Sequence, residues 1–238
     1  MGRGPSIEGR KNAADATRGK LFTKLIREIT IAARAGGADP ASNARLRAGI
    51  DKAKAVSMPN DTIDRALKRA TGADADKMEE IRYEGYGPSG VALIIDCMTD
   101  NAQRTVADVR HALGKHGGNL GTSGSVAFQF QRKGELVVDT SKPGSEDKLL
   151  EAALDAGADD VQTEAGESLV LTSPDAFDAV KKALDAAGLT PSRADVSWRP
   201  ENRVPVNAEV AETLRDLIDW LNDMDDVQEV YHNAELQA

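Results

Sequence analysis

Residues Arg82 to Phe130 constrain the fold more than any other stretch, because their hydrophobic period changes twice within about fifty residues. Val91 to Cys97 is a short apolar run after a Gly/Pro turn, which predicts a strand. From Arg104 to His116 the apolar residues recur at helical spacing. A glycine-rich turn follows, and apolar residues then alternate from Val126 to Phe130. We therefore expect a strand, a helix and a second strand.

Composition indicates a globular protein with several small cores. The chain has 238 residues, of which 40% are hydrophobic, and this is enough for two or three domains. Its apolar runs are far shorter than the roughly 20 residues that a membrane span needs, and the amino terminus lacks the apolar core of a signal peptide. The single cysteine, Cys97, cannot form an internal disulfide. We expect a cytoplasmic protein without membrane association.

Charge is distributed unevenly along the chain. Met1 to Gly72 contains 15 Lys+Arg and 7 Asp+Glu, a net of +8, which leaves 15 against 32, or −17, for the rest. The overall net charge of −9 therefore hides a basic segment attached to an acidic body. This asymmetry favours a polyanion-binding segment, and the acidic part is a candidate surface for a protein partner.

The basic segment predicts three helices. Lys20 to Arg34 has one apolar stripe, and its four cations lie within about 80° on the opposite side. Asp39 and Pro40 suit the start of a second helix, and a third follows Pro59 and ends at Gly72. We expect an extended basic arm over residues 1–19 and a three-helix basic domain over residues 20–78.

The cations of this segment are the candidate nucleic-acid-binding residues. Aromatic side chains for stacking are nearly absent there, which favours contacts to phosphate over base reading. The alternative interpretation is a solvated charged face. The candidates are Arg10, Lys11, Arg18, Lys20, Lys24, Arg27, Arg34, Arg45, Arg47, Lys52, Lys54, Arg65, Lys68 and Arg69.

Neither catalysis nor a bound cofactor is indicated. The GYGPSG turn starting at Gly85 has dinucleotide-like glycine spacing but precedes a strand, where such a motif would link a strand to a helix. His111 and His116 are five residues apart and point in different directions on one helix, so a metal site is not expected. Ser123 and Ser125 lie in a turn without a base nearby in sequence. We expect no enzyme, no cofactor and no metal.

The acidic body predicts two α/β domains. Residues 133–203 show the order βαββαβ, which is typical of a ferredoxin-like domain. After two prolines, a helix and a final strand at Val227 to Tyr231 cannot fold alone. We therefore expect residues 79–132 and 204–238 to form one discontinuous α/β domain that carries the ferredoxin-like domain as an insertion. The predicted fold class is α+β, with an N-terminal helical domain followed by these two domains.

Long segments of the chain resemble the YebC/PmpR family of bacterial regulatory proteins. They include GKLFTKLIREITIAAR, DPASNARLRAGIDKAKAVSMPNDTIDRAL, LEAALDAGADDV, DDVQEVYHN and the stretch from Ile81 to Phe128. The resemblance covers about Lys11 to Glu235. The family is also similar to a mitochondrial translational activator of cytochrome oxidase. The resemblance implies a three-domain cytoplasmic protein that regulates transcription by binding DNA.

Two functions remain open at this point. The first is a DNA-binding transcriptional regulator that contacts phosphates through its basic helices. The second is a translation factor bound to ribosomal RNA. Both require the same cations, because attraction to phosphate does not distinguish DNA from RNA.

Overall fold

The computed structural model describes residues 7–72 and 77–236, with side chains from Thr17 onward. Elements are numbered in chain order. The helices are α1 Ile7–Gly36, α2 Ala44–Ala55, α3 Asn60–Thr71, α4 Ala102–Lys115, α5 Ser145–Asp155, α6 Phe177–Ala186 and α7 Ala208–Asp223. The strands are β1 Glu79–Tyr86, β2 Ala92–Thr99, β3 Asn119–Leu120, β4 Phe130–Asp139, β5 Asp160–Glu164, β6 Glu167–Thr172, β7 Arg193–Pro200, β8 Val204–Pro205, β9 Val227–His232 and β10 Ala234–Glu235. Short 3-10 turns occupy Pro88–Gly90 and Ala127–Gln129.

Helix α1 is longer than the sequence pattern predicted. It begins at Ile7, so the extended arm expected over residues 1–19 is wrong for residues 7–19, and residues 1–6 lie outside the described part of the chain. Three alanines within residues 13–16 are the best helix formers, and they offset the two glycines of this segment. Local propensity therefore continues the helix upstream of its apolar stripe.

The three N-terminal helices share one small core. Leu25 and Ile29 of α1 pack with Leu46 of α2 and Ile63 of α3. The second helix is capped by Asn43, and not by Asp39 as the sequence suggested. The Asn43 side chain accepts a hydrogen bond from the Leu46 amide and donates to the carbonyls of Ala32 and Gly37. It therefore joins the end of α1 to the start of α2, which the prolyl turn could not do.

An antiparallel sheet with the order β3-β1-β2-β9 follows the helices. The C-terminal strand β9 pairs with β2, with Tyr231 opposite Ile94. Leu113 of α4 and Leu217 of α7 are fully buried against one face of this sheet, together with Leu93 and Ile95 of β2. The sheet is thus completed by a strand from the C-terminal part of the sequence. A short parallel pair, β8 with β10, lies close to the C-terminal end of the chain.

The second strand expected at Val126 to Phe130 is wrong. This stretch contains the 3-10 turn, Phe128 is 73% exposed, and β4 begins only at Phe130. The cause is the buried carboxylate of Glu84, which accepts hydrogen bonds from the amides of Gly124, Val126 and Ala127 at 2.5, 3.0 and 2.6 Å. Because these amides are engaged by a side chain, they cannot join a strand ladder. The partner of β2 on the side away from β9 is instead β1, which the sequence pattern missed.

A second antiparallel sheet has the order β5-β6-β4-β7 and carries α5 and α6 against one face. Leu136, Leu149, Val170 and Leu184 form its core. The order βαββαβ with this strand arrangement is the ferredoxin-like fold. The predicted α+β class, with an N-terminal helical region and an inserted ferredoxin-like domain, is confirmed.

The chain divides into two compact units. The first contains residues up to Ala127 together with residues from Val204, and the second contains Phe128–Arg203. The N-terminal helices and the β3-β1-β2-β9 sheet therefore belong to one unit. The domain limits predicted at residues 78, 132 and 203 remain predictions. Over the described residues, no helix is long and apolar enough to span a membrane.

Candidate nucleic-acid interface

The three N-terminal helices present cations because their apolar stripes all point inward. Ile29, Leu46 and Ala53 are fully buried, so the remaining faces of α1, α2 and α3 carry the polar residues. Every described cation of the predicted site lies on these faces. These cations differ in the groups that each one contacts.

On α1, the predicted cationic face is a contact surface within the first unit. Lys20 Nζ lies 2.8 Å from Asp223 Oδ1, and Lys24 Nζ donates to the Asn222 carbonyl at 2.8 Å. Burial lowers the pKa of Lys24, and the nearby carboxylates, Glu229 foremost, oppose this shift without reversing it. These lysines therefore face the C-terminal end of α7 and the turn that follows it.

Arg27 is the most enclosed cation of this face. Its Nη1 donates to the carbonyls of Met98 and Asp225 at 2.8 and 2.7 Å and to Asp226 Oδ1 at 2.7 Å. The Arg27 side chain is 15% exposed. Through these contacts Arg27 holds α1 against β2 and the turn before β9. Replacing it with glutamate would place two carboxylates together in a nearly buried site.

Asp226 is the centre of that contact, and sequence reasoning did not identify it. Its side chain is 7% exposed and accepts hydrogen bonds from Arg27, from Arg104 Nη2 at 2.9 Å and from Thr105 Oγ1 at 2.9 Å. Burial alone would raise the pKa of Asp226, but the hydrogen bonds from Arg104, Arg27 and Thr105 outweigh it and hold the pKa below its usual range. A charged aspartate thus joins α1, α4 and the C-terminal turn.

Two further predicted cations also bind groups of the same unit. Arg45 contacts Glu28 at 2.9 Å and Glu80 at 2.7 Å, and the hydrogen bond to Glu80 is the main reason that its pKa is raised. Arg34 Nη1 donates to the Met78 carbonyl at 2.9 Å. Both residues therefore connect the helices to the segment that enters β1, and Arg45 has its charge balanced by two carboxylates.

The other described cations are more exposed. Arg65 pairs with Asp61 one turn earlier on α3. Arg47 donates to the Pro40 carbonyl in the loop before α2. Arg18 lies over the Phe22 ring, 5.3 Å from its centroid. The side chains of Arg10 and Lys11 lie outside the described part of the structure.

Four exposed cations of the predicted site remain that make no ion pair, hydrogen bond or aromatic-ring contact within residues 17–72 and 77–236. They belong to the last turns of α2 and α3. We call them the outer basic residues: Lys52, Lys54, Lys68 and Arg69. Such side chains can bind a phosphate without first breaking an internal contact, which Arg27 and Arg45 cannot do.

The α/β residues that drew attention in the sequence have structural roles. Within the described ranges, no group of three His, Cys, Asp or Glu residues is arranged to hold a metal ion. His111 and His116 pack instead against Trp220, with ring centroids 6.2 and 5.6 Å from it. Cys97 is buried in the sheet core, and burial raises its pKa to about 12, so it is not a nucleophile at neutral pH. Of the GYGPSG glycines, Gly85 lies in β1, and Gly87 and Gly90 lie in the turn between β1 and β2.

Comparison with known proteins agrees with this architecture. The family model for the TACO1/YebC protein N-terminal domain matches residues 4–73, and the model for the TACO1/YebC second and third domain matches residues 78–234. The matched segments meet near residue 75, between the helices and β1. Together they cover almost the whole chain.

Full-length relatives and a solved structure are also similar. A "Probable transcriptional regulatory protein" of Xanthomonas oryzae pv. oryzae is 56% identical over 241 residues, covering 100% of this chain and 99% of the relative. One of the same description from Stenotrophomonas maltophilia is 57% identical over 242 residues, covering 100% and 98%. The crystal structure of the conserved hypothetical protein Aq1575 from Aquifex aeolicus has a TM-score of 0.83 and 43% identity, covering 94% of this chain and 93% of that one. The chain therefore belongs to the TACO1/YebC family.

Proposed function

We propose that the protein is a DNA-binding transcriptional regulator of the YebC/PmpR type, working in the cytoplasm and without enzymatic activity. The names of its relatives support the regulatory role. The observation that carries the proposal is the set of outer basic residues, four exposed cations on α2 and α3 whose charges are not balanced within the described residues.

Contacts within the first unit reduce the number of predicted cations that are available to bind phosphate. Lys20, Lys24, Arg27 and Arg45 are engaged within the unit, so a phosphate would have to compete with their present partners. The outer basic residues need no such exchange. We propose that they make the main phosphate contacts, and that Arg18 and Arg47 add to them.

The test compares two variants with the same change in charge. In the site variant, all four outer basic residues become glutamine. In the control variant, four exposed cations of the second unit become glutamine: Arg132, Lys142, Lys148 and Lys182. Affinity for a promoter duplex is titrated at several salt concentrations.

We expect the site variant to bind more weakly and to flatten the plot of log K against log[salt]. Each phosphate contact contributes a slope of about −0.9 on duplex DNA, so loss of all four should remove roughly three to four units of slope. The control variant should keep the wild-type slope. If both variants give the same slope, the outer basic residues do not contact phosphate and the proposed site is wrong.

A ribosome-associated translation factor is the second candidate. The observation in its favour is that both matching family models describe TACO1 and YebC together, and the outer basic residues would serve RNA phosphates equally well. Promoter binding and ribosome co-sedimentation can be measured in the same lysate. If wild type does not occupy the promoter, and the site variant no longer co-sediments with ribosomes, then the first function is wrong and the second is supported.

A further inference from the structure

A groove of about 860 Å³ separates the middle of α1 from the C-terminal half of α7, within the first unit. Leu21 and Lys24 line one wall, and Asp219 and Trp220 line the other. His116, at the end of α4, closes one side. None of the outer basic residues lines this groove.

Two large apolar side chains are left uncovered in the groove. Leu21 is 41% exposed and Trp220 is 39% exposed. Their helices bury other apolar residues completely, including Ile29 of α1 and Leu217 of α7. An exposed tryptophan beside an exposed leucine in a concave site is typical of a contact surface and unusual for a solvated helix face.

The Trp220 ring already attracts a cation. Lys115 Nζ lies 4.4 Å from the centroid of the ring, and His116 packs edge-on against the same ring at 5.6 Å. Tryptophan is the aromatic side chain that binds cations best through its face. These two contacts hold the ring in place.

The exposed face of α7 is acidic. Its carboxylates follow one another at spacings of three and four residues, which places them along one side of the helix next to Trp220. They are Glu209, Glu212, Asp216, Asp219 and Asp223. Asp223 pairs with Lys20, whereas Asp216 and Asp219 are exposed and make no ion pair within the part of the chain that the structure describes.

The lysines of α1 do not reverse this charge. Lys20 is bound to Asp223 and Lys24 donates to the Asn222 carbonyl. Because a carbonyl does not neutralise Lys24, the lining carries three carboxylates against two lysines, a net of −1, together with an aromatic face and an aliphatic side chain. A nucleic acid would meet repulsion from Asp216 and Asp219, whereas a segment with both cationic and aliphatic side chains would match these two carboxylates, the Trp220 ring and Leu21.

We propose that this groove docks a basic, partly apolar helical segment of a partner protein, with a Lys or Arg side chain between Asp219 and the Trp220 ring and an aliphatic side chain against Leu21. The basic helices of a second copy fit less well. The exposed large apolar residues of the described chain are Leu21, Phe128, Leu150, Leu154, Val204 and Trp220, and none of them lies on α2 or α3. A surface of this size suits a transient contact, and the proposal does not depend on nucleic-acid binding.

The experiment uses the full-length chain and a defined probe. The probe is a synthetic 14-residue helical peptide of lysine, leucine and alanine, and its matched control carries glutamate at each lysine position. The chain has 2 tryptophans, so each indole N–H signal can be followed by NMR, and the Trp220→Phe variant assigns the relevant one. Single-stranded oligonucleotide is titrated in a parallel arm.

The test variants are Asp216→Asn with Asp219→Asn, and separately Leu21→Ser. The charge control is Asp175→Asn with Asp178→Asn, an exposed pair of the second unit with the same three-residue spacing. We expect the lysine peptide to shift the Trp220 signal and the glutamate peptide to leave it unchanged. Affinity should fall about tenfold or more in either test variant and stay unchanged in the charge control.

Three results would overturn the proposal. The first is a Trp220 signal that does not move at millimolar peptide. The second is equal affinity of the lysine peptide for wild type and for the Asp216/Asp219 variant, which would indicate general attraction to an acidic protein. The third is a shift of Trp220 by the oligonucleotide and not by the peptide, which would make this groove part of a nucleic-acid site.

Discussion

Replacing Asp226 with asparagine tests whether one carboxylate holds the N-terminal helices to the sheet. The change keeps the shape of the side chain and removes the charge that Arg27, Arg104 and Thr105 bind. Removing one partner of a buried ion pair typically destabilises a protein by about 3–5 kcal/mol, because the other charge is left without compensation.

For Asp226→Asn we expect a loss of stability below that range. Arg27 keeps the carbonyls of Met98 and Asp225, and Arg104, which is 46% exposed, keeps Asp100. The lost interaction is then close to that of one or two hydrogen bonds to a charged group, about 2–3 kcal/mol. This corresponds to a change of roughly 30- to 140-fold in the opening equilibrium of the first unit.

Hydrogen exchange measured by mass spectrometry is the suitable assay because it reports each unit separately. Peptides from α1, α4 and β9 should exchange faster in the Asp226→Asn variant, whereas peptides from β4 to β7 should not change. The control is Asp223→Asn. Its carboxylate is 76% exposed and pairs only with the half-exposed Lys20, so its loss should change stability by less than about 1 kcal/mol.

Equal exchange in the two variants would refute the reasoning. It would mean that burial of Asp226 contributes nothing beyond an ordinary surface pair, and that apolar packing alone holds α1 in place. A uniform increase across both units would refute it as well, because the contacts of Asp226 lie within the first unit only.

Three other predictions concern the α/β part. Burial opposes ionisation of Glu84, but hydrogen bonds from the amides of Gly124, Val126 and Ala127 outweigh burial and depress the pKa of Glu84. The stability from this contact is therefore present above the unfolded pKa of about 4.3. It is lost as pH falls through the pKa of Glu84 in the folded protein. Exchange protection of these amides should decline below about pH 4, and Glu84→Gln should remove that pH dependence. Gly118→Ala should destabilise by about 1–3 kcal/mol in urea unfolding, because the new Cβ would overlap the Tyr86 carbonyl, whereas Gly114→Ala, at an open position of α4, should be neutral or stabilising. Cys97, whose pKa burial raises to about 12, should resist iodoacetamide at pH 8 in the native protein and react in urea, and rapid alkylation without urea would contradict its placement.

Much of the fold followed from hydrophobic periods. The stripes of α1, α4 and α7 are local patterns, and most of the side chains that they point inward are buried in the structure, among them Ile29, Leu113 and Leu217. The ferredoxin-like order could be predicted because its six elements follow one another along the chain. Patterns of this kind depend on neighbours three, four or two residues apart, so a sequence displays them directly.

The errors arose where a side chain contacts residues far away in sequence. Glu84 binds amides about forty residues later, and this prevented the strand expected at Val126. Arg27 meets Asp226 across 199 residues, so a cation that looked solvated is nearly buried. Charge counting cannot distinguish such a residue from Lys52 or Lys68, because the distinction depends on which element packs against each helix.

The pairing of β9 with β2 also orders events during synthesis. The second unit, Phe128–Arg203, has all of its strands and helices once the ribosome has passed residue 203. The first sheet at that moment lacks both α7 and its edge strand β9, and α1 lacks Asp226. Domains generally fold as units while the chain emerges, so the insertion can fold first and the surrounding unit must wait for the last residues. Until then the edge of β2 and the apolar side of α4 are uncovered, which makes this interval the period when the nascent chain most needs protection from aggregation.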